Sequence, residues 1–240
     1  VTLRSPWQII DSGPLSVLEV MQKDEFLLQQ LSPRSSILHF YEWKTPSLTY
    51  GYFIQPEQHL AIDKLHENGF QIARRPTGGG IIFHIADFAF SLLIPECHPS
   101  LSLKPLDNYR WINQHVAEVI QQVDPLCPTP SLLPFKNPIQ KESFLPFCMA
   151  KPTPYDILIE EKKVGGAAQR RTRKGLLHQA SISLFLPSLP LLSTLIKDSR
   201  IIEAMHMQGY YLLGEKPSLE AIKDYQILLR QKLIQHLTCL

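Results

Sequence analysis

Between residues 74 and 84 the chain reads Arg74-Arg75-Pro76-Thr77-Gly78-Gly79-Gly80-Ile81-Ile82-Phe83-His84, three successive glycines set between extended apolar segments. Glycine lacks a Cβ and reaches φ > 0, so the backbone here can turn sharply and lie against a ligand. Its N–H groups can then face a carboxylate or phosphate that a side chain would block. Two arginines just upstream supply charge. A glycine-rich hairpin turn without a ligand is the plain alternative for such a segment taken alone.

The segment sits at a strand connection in a chain of mixed strands and helices. Ser16-Val17-Leu18-Glu19 has capping-box form, and Val17, Met21, Leu28 and Leu31 recur at helical spacing before Pro33, which predicts a helix over about 16–31. Residues 37–43 and 47–54 are rich in β-branched and aromatic types and read as paired strands. A helix over 57–67 ends before Gly69, Phe70 to Arg74 is a strand feeding the glycines, and Ile81 to His84 and Phe88 to Ile94 continue the sheet. Ile112, Val116, Val119, Ile120 and Val123 make a one-sided stripe, so 107–123 is a helix packed on that sheet. Eight of the 20 prolines then fall between Pro125 and Pro154, which prevents regular ladders. This long loop is either an interdomain linker or an active-site loop; the second reading is preferred because it carries Cys148. Tyr155 to Glu160 and Lys163 to Ala168 form a hairpin, and Leu177 to Leu186 a strand with Ile182, Leu184 and Leu186 on one face. A helix-rich piece from about 188 to 237 ends in a helix striped by Ile222, Tyr225, Leu229 and Leu233. Residues 1–240 read as a single domain.

Composition narrows the function classes. A hydrophobic share of 44% with 19% charged residues fits a soluble globular protein. No apolar run approaches the roughly 18 residues of a membrane span, and no basic segment with an apolar h-region opens the chain. A cytoplasmic protein without membrane association is expected. Cys97, Cys127, Cys148 and Cys239 lack C-x-x-C spacing and the density of a disulfide scaffold, so free thiols and no metal site are expected. The net charge of +2 does not mark a nucleic-acid binder, although Lys162, Lys163, Arg170, Arg171, Arg173 and Lys174 concentrate positive charge. That stretch is either a solvated basic hairpin or a docking face for an acidic partner.

A second segment carries chemistry: Lys163-Val164-Gly165-Gly166-Ala167-Ala168-Gln169-Arg170-Arg171, followed by Gly175-Leu176-Leu177-His178-Gln179-Ala180-Ser181-Ile182. Together with the glycine triplet it resembles the lipoate-protein ligase and octanoyltransferase family, which pairs RR-x-(S/T)-GGG-x-x-x-H with a later K-(I/V)-x-G-x-A-Q. Asp24-Glu25-Phe26-Leu27-Leu28 resembles the family's amino-terminal helix. Phe40-Tyr41-Glu42-Trp43, Pro46 and Leu48-Thr49-Tyr50-Gly51-Tyr52 resemble its strand pair. The resemblance implies an α/β fold of α+β type, a mixed, largely antiparallel sheet with packed helices, as in the catalytic domain shared by biotin and lipoate ligases. Strand and helix patterning agrees in class but does not determine that topology.

The resemblance also assigns roles. Lys163 would contact the acyl carbonyl, a donor that strengthens as charge develops on the oxygen, beside a wall kept low by Gly165 and Gly166. Lys162 should face the opposite side of the strand. Arg75, Gly78, Gly79 and Gly80 would form the floor and polar rim of an apolar acyl slot, with Thr77 and Gln169 among the substrate-binding residues. His84 and His178 would line the site or serve as structural histidines. Phe147-Cys148-Met149-Ala150, with Pro152, Tyr155 and Asp156, resembles the loop of cysteine-dependent octanoyltransferases, whose cysteine takes the acyl group as a thioester. Cys148 and Lys163 would then be the catalytic pair, the ammonium favouring the thiolate and its oxyanion. An inert buried cysteine is the alternative.

The competing activity within the family is an ATP- and Mg-dependent lipoate ligase acting through lipoyl-adenylate; the transferase needs no cofactor. Ligases commonly continue the glycine segment as H-D-x-G-N, whereas this chain reads His84-Ile85-Ala86-Asp87-Phe88. The accessory part of many ligases does not follow before Leu240, although it can be a separate subunit. Ala180 departs from the usual glycine of H-x-G-S. A non-catalytic binding module on the same fold is a third reading, and a biotin ligase is disfavoured because its G-R-G-R-x-G loop is absent. In either enzymatic reading the lipoyl or octanoyl group is the substrate. Its acceptor is a lysine on an acidic lipoyl-domain carrier of a 2-oxo-acid dehydrogenase complex or on the glycine-cleavage H protein.

Overall fold

The structure, a computed structural model, describes residues 6–85, 87–135 and 146–238. In chain order its strands are β1 (Trp7–Leu15), β2 (Ser36–Trp43), β3 (Ser47–Tyr50), β4 (Gln71–Arg74), β5 (Ile81–His84), β6 (Asp87–Pro95), β7 (Ser131–Leu132), β8 (Ile157–Ile159), β9 (Lys162–Arg171) and β10 (Gly175–Ser183). The helices are α1 (Val17–Gln29), α2 (Ile62–Glu67), α3 (Pro105–Val123), α4 (Leu189–Leu195), α5 (Ser199–Gln208) and α6 (Leu219–Leu237). Seven strands form one sheet in the order β1-β2-β6-β10-β9-β8-β7, antiparallel except for β1 against β2. A three-stranded sheet, β4-β3-β5, pairs β3 parallel to β4 and antiparallel to β5.

Both faces of the large sheet are covered. The stripe of α3 (Ile112, Val116, Val119, Ile120) packs with Ile222, Leu229 and Leu233 of α6 onto Phe90, Leu92 and Ile182. Burying a side chain of this size is worth roughly 1.5–3 kcal/mol, so an amphipathic helix with this stripe has little choice of location. On the other face lies α1, started by the reciprocal capping box of Ser16 and Glu19 (Ser16 N to Glu19 Oε2 2.8 Å). Its Leu27 and Leu28 pack on Ile37, Leu93 and Leu177. The small sheet builds a second core with α4, α5 and residues 147–150, in which Phe83 stacks on Phe147.

Four expectations need correction. Residues 37–43 and 47–54 are not a strand pair: β2 belongs to the large sheet and β3 to the small one, and the chain past Tyr50 turns, with Ile54 N bonding Gly51 O at 3.0 Å. Ile81–His84 and 88–94 likewise lie in different sheets. The helix expected at 57–67 is split into a 3-10 turn at Pro56–Gln58 and α2, because Leu60 is buried and Ala61 N bonds Leu195 O. The last core strand stops at Ser183; Leu184 stays in the main core while Leu186, next to Pro187, packs into the second one. The edge strand β1 has no counterpart in the sequence reading, since it is half-exposed, bears Gly13 and Pro14, and shows no clean alternation.

Candidate active site

A cavity opens between the two sheets. Arg75, Cys148 and Lys163 line it, with Met21, Trp43, Ile82 and Met149 as apolar walls and Gly166, Ala167, Ala168 and Ala180 as a low wall. Tyr41, Thr49, Gly79, His84, Gln179 and Ser181 also reach it.

Cys148 arrives by backbone pairing. The segment Pro146-Phe147-Cys148 lies along β5, with Ile81 N donating to Pro146 O at 2.6 Å and Cys148 N to Ile81 O at 2.9 Å. Only glycine at position 80 permits this, because a Cβ there would stand 2.0 Å from Pro146 O. Gly51 similarly lets the β3 end meet the glycine loop, where a Cβ would stand 2.0 Å from Gly79 O. The preferred reading of the proline-rich segment as an active-site loop therefore fits residues 146–156; residues 136–145 lie outside those described. Cys97, Cys127 and Cys148 are free thiols, and Cys239 is not among the described residues.

The glycine loop holds Arg75 through its carbonyls: Arg75 Nη2 donates to Gly78 O (3.0 Å) and Gly80 O (2.7 Å), and Nη1 to Thr49 Oγ1 (2.7 Å). Of the three glycines only Gly79, at φ 86°, lines the cavity. Arg75 is 6% exposed and no described carboxylate pairs with it. Burial lowers its pKa, and the adjacent Cys148 sulfur offsets part of that penalty. Its Nε–H has no partner among the described residues. A buried, unpaired donor on a cavity wall can receive a ligand oxygen.

Lys163 holds the other cation. Its Nζ lies 2.7 Å from Asp156 Oδ2, with both side chains buried, while Lys162 is exposed as expected. A β-bulge makes this possible. Ile157 pairs with Gly165 and Leu158 with Lys163, so β9 uses two residues where β8 uses one, and the extra residue re-aims Lys163. It then shares a side with Gly166, where a Cβ would stand 2.5 Å from Asp156 Oδ1 and 2.9 Å from Lys163 Nζ. Gly166 thus makes room for the ion pair. Asp156 also accepts from Thr153 N (2.6 Å) and Thr153 Oγ1 (2.9 Å), in a turn where Tyr155 sits at φ 67° and Asn113 of α3 donates to Tyr155 O at 2.8 Å.

Behind the cavity runs a hydrogen-bond chain. Thr49 Oγ1 meets His84 Nε2 at 2.8 Å and His84 Nδ1 meets Asp87 Oδ2 at 2.6 Å; Asp87 also accepts from Ser181 Oγ (2.5 Å) and Trp43 Nε1 (3.1 Å). Arginine can only donate, so Thr49 is free to direct its own proton at His84 Nε2, leaving Nδ1–H for Asp87. The Asp87 of the departure from H-D-x-G-N is therefore a buried partner of His84; Ala86 lies outside the described residues. A second chain ties the glycine loop to α1: Thr77 Oγ1 to Gln179 Oε1 (2.8 Å), and Gln179 Nε2 to Asp24 Oδ2 (2.7 Å), an aspartate that also holds Ser91 and His39.

Several sequence candidates stand away from the cavity. Thr77 and Gly78 act through the loop and Gly165 through the bulge. Gln169 and His178 are cross-strand neighbours that pair with each other (2.9 Å) on the α3 side, next to Tyr109. Strand alternation decides this, because Gln179 and Ser181 take the cavity face. Burial pushes the His178 pKa down to about 3, so the ring is neutral. Lys163, Arg170 and Arg171 of the basic stretch each hold a carboxylate (Asp156, Glu25 and Glu96), while Lys162, Arg173 and Lys174 face solvent. Thr49 and Asp87 were not singled out from the sequence, and Asp156 only as part of a loop. Nothing in spacing marks them, since their partners lie 35, 3 and 7 positions away on other elements or turns.

Residues 16–209 match the lipoyl protein ligase A/B catalytic domain. The chain belongs to that family. Octanoyltransferase LipM of Staphylococcus aureus is 30% identical over 180 residues, 73% of this chain and 65% of that protein, so the chain spans about two thirds of this relative's length. Among solved structures, lipoate-protein ligase A bound with ATP superposes with a TM-score of 0.70 at 21% identity, covering 95% of this chain and 85% of that one. The bi-partite lipoate protein ligase of Thermoplasma acidophilum, described together with its E2 lipoyl domain, gives 0.68 at 20% identity, with 96% and 84% covered. These structures establish the lipoate ligase catalytic fold, and with it the expected mixed, largely antiparallel α+β class.

Proposed function

We propose that this lipoyl protein ligase A/B family member is an acyltransferase of protein lipoylation. It moves an octanoyl or lipoyl group through a Cys148 thioester to a lysine of a lipoyl-domain carrier. One observation carries the reading: a free cysteine, a buried guanidinium and a buried lysine, itself paired with Asp156, line one cavity together with apolar and small residues. The naming of the Staphylococcus aureus relative as an octanoyltransferase supports it.

In the first half-reaction Cys148 Sγ attacks the carbonyl carbon of a thioester donor. A C–S bond forms, the donor's thiolate leaves, and the cysteine proton goes with it. Arg75 is the cation that meets negative charge at the sulfur and the oxyanion. Lys163 keeps two N–H groups beyond its bond to Asp156, enough to hold the acyl oxygen. In the second half-reaction the carrier's ε-amine attacks the enzyme thioester, an amide C–N bond forms, and the sulfur leaves with the amine proton. No cofactor enters either step.

The exposed Lys162, Arg173 and Lys174 offer a surface for an acidic lipoyl domain, screened by salt. No described helix is long and apolar enough to cross a membrane; a cytoplasmic site of action is part of this proposal, as is the reading of 1–240 as one catalytic unit. Intact-mass analysis with an octanoyl thioester donor and no ATP should give a hydroxylamine-sensitive adduct on wild type and none on Cys148→Ser. Carrier modification that needs free lipoate and ATP, and survives Cys148→Ser, would establish the ligase instead.

A further inference from the structure

Helices α3 and α6 lie side by side on the face of the large sheet away from Cys148. Where their polar sides meet, three ligand-type atoms converge. His115 and Glu118 are one helical turn apart on α3, hence on one face, and His236 comes from the last turn of α6. His115 Nδ1 is 3.0 Å from His236 Nε2, His236 Nε2 is 3.1 Å from Glu118 Oε2, and His115 Nδ1 is 3.5 Å from Glu118 Oε2. An ion held tetrahedrally at about 2.0–2.2 Å by N and O ligands sets those ligands roughly 3.3–3.6 Å apart. The His115–Glu118 edge of 3.5 Å already has that spacing, and the two edges to His236 must open by a few tenths of an ångström.

We propose that His115, Glu118 and His236 form a divalent transition-metal site, of the zinc class, that clamps α6 onto α3. Two imidazoles and a carboxylate are a donor set suited to zinc, and a three-residue set leaves the fourth position to water. The side chains of His115, His236 and Glu118 are 18%, 17% and 43% exposed, so an ion can enter while the rings stay fixed by packing. Trp111 packs edge-on against His115, and the Gln122 amide lies 3.3 Å from His236 Nδ1, where with the amide turned so that its oxygen faces the ring it would accept the Nδ1–H of a ligand bound through Nε2. Glu118 and His236 are separated by more than a hundred residues, so spacing motifs do not reveal the set. None of the three lines the Cys148 cavity.

Metal-stripped protein should take up one equivalent of Zn2+ in isothermal titration, with affinity at least tenfold weaker in both His236→Gln and Glu118→Gln. Co2+ should give tetrahedral d–d absorption without a thiolate charge-transfer band, and Zn2+ in hundredfold excess over the wild-type Kd should raise the melting temperature by about 5 °C in wild type and by about half of that or less in the variants. Glu118 is exposed enough that Glu118→Gln tests the site even where His236→Gln fails to fold. Absence of saturable binding, equal affinity in the variants, a thiolate band, or an unchanged melting temperature would each overturn the proposal.

Discussion

Replacing Gly80 by alanine should disable Cys148, the proposed nucleophile, without touching it. The added Cβ would stand 2.0 Å from Pro146 O, and ordinary contact begins near 3.4 Å, so the Pro146 carbonyl must retreat by about 1.4 Å. That retreat breaks the Ile81 N to Pro146 O bond and strains the Cys148 N to Ile81 O bond. Two backbone hydrogen bonds at about 0.5–1.5 kcal/mol each give a loss of about 1–3 kcal/mol in stability. Activity should fall further, since a misplacement of about 1 Å can lower catalysis about 100-fold. Gly78→Ala is the matched control: it has open space around the new Cβ and no positive φ, and should stay within about 0.5 kcal/mol of wild type. The assays are kcat/KM for acyl transfer and the urea midpoint of both variants. Wild-type kcat/KM in Gly80→Ala, or an equal loss in Gly78→Ala, would refute the idea that Gly80 mounts Cys148.

Removing one partner of the buried Lys163–Asp156 pair by Asp156→Asn should destabilise the fold by about 3–5 kcal/mol and depress kcat; an unchanged urea midpoint would show that the pair contributes nothing net. Glu160 and Glu161 form the β8–β9 turn at φ 49° and 63°, a conformation that side chains resist. The double change Glu160→Asn with Glu161→Gly, which supplies the residue types such a turn favours, should stabilise by about 1–2 kcal/mol, and an equal or lower melting temperature would count against the strained turn. His178, held near a pKa of about 3 by burial, takes up no proton in the folded state while the unfolded chain does so below its ordinary pKa of about 6.5. The unfolded state then binds more protons, so stability is lost as pH drops across that window, by about 2 kcal/mol between about pH 6.5 and about pH 4.5. His178→Leu should remove that share of the acid sensitivity, and identical pH profiles would indicate that the buried ring titrates normally.

Local sequence was enough for the amphipathic helices α1, α3 and α6, the β8–β9 hairpin and the two glycine-containing motifs whose residues line the cavity. Each depends on periodicity, capping or turn residues within a few positions of one another. It also singled out Arg75, Cys148 and Lys163, which do share a cavity. Tertiary structure decided everything that depends on partners distant along the chain. The division of β2 and β3 between two sheets follows from hydrogen-bond partners that local propensity does not encode. Strand parity, altered by one extra residue in β9, turned Lys163 toward Asp156 and left Gln169 and His178 on the other face. Gly80 is required by a carbonyl 66 positions away at Pro146, a contact that exists only after the two sheets have packed, because steric exclusion acts between neighbours in space.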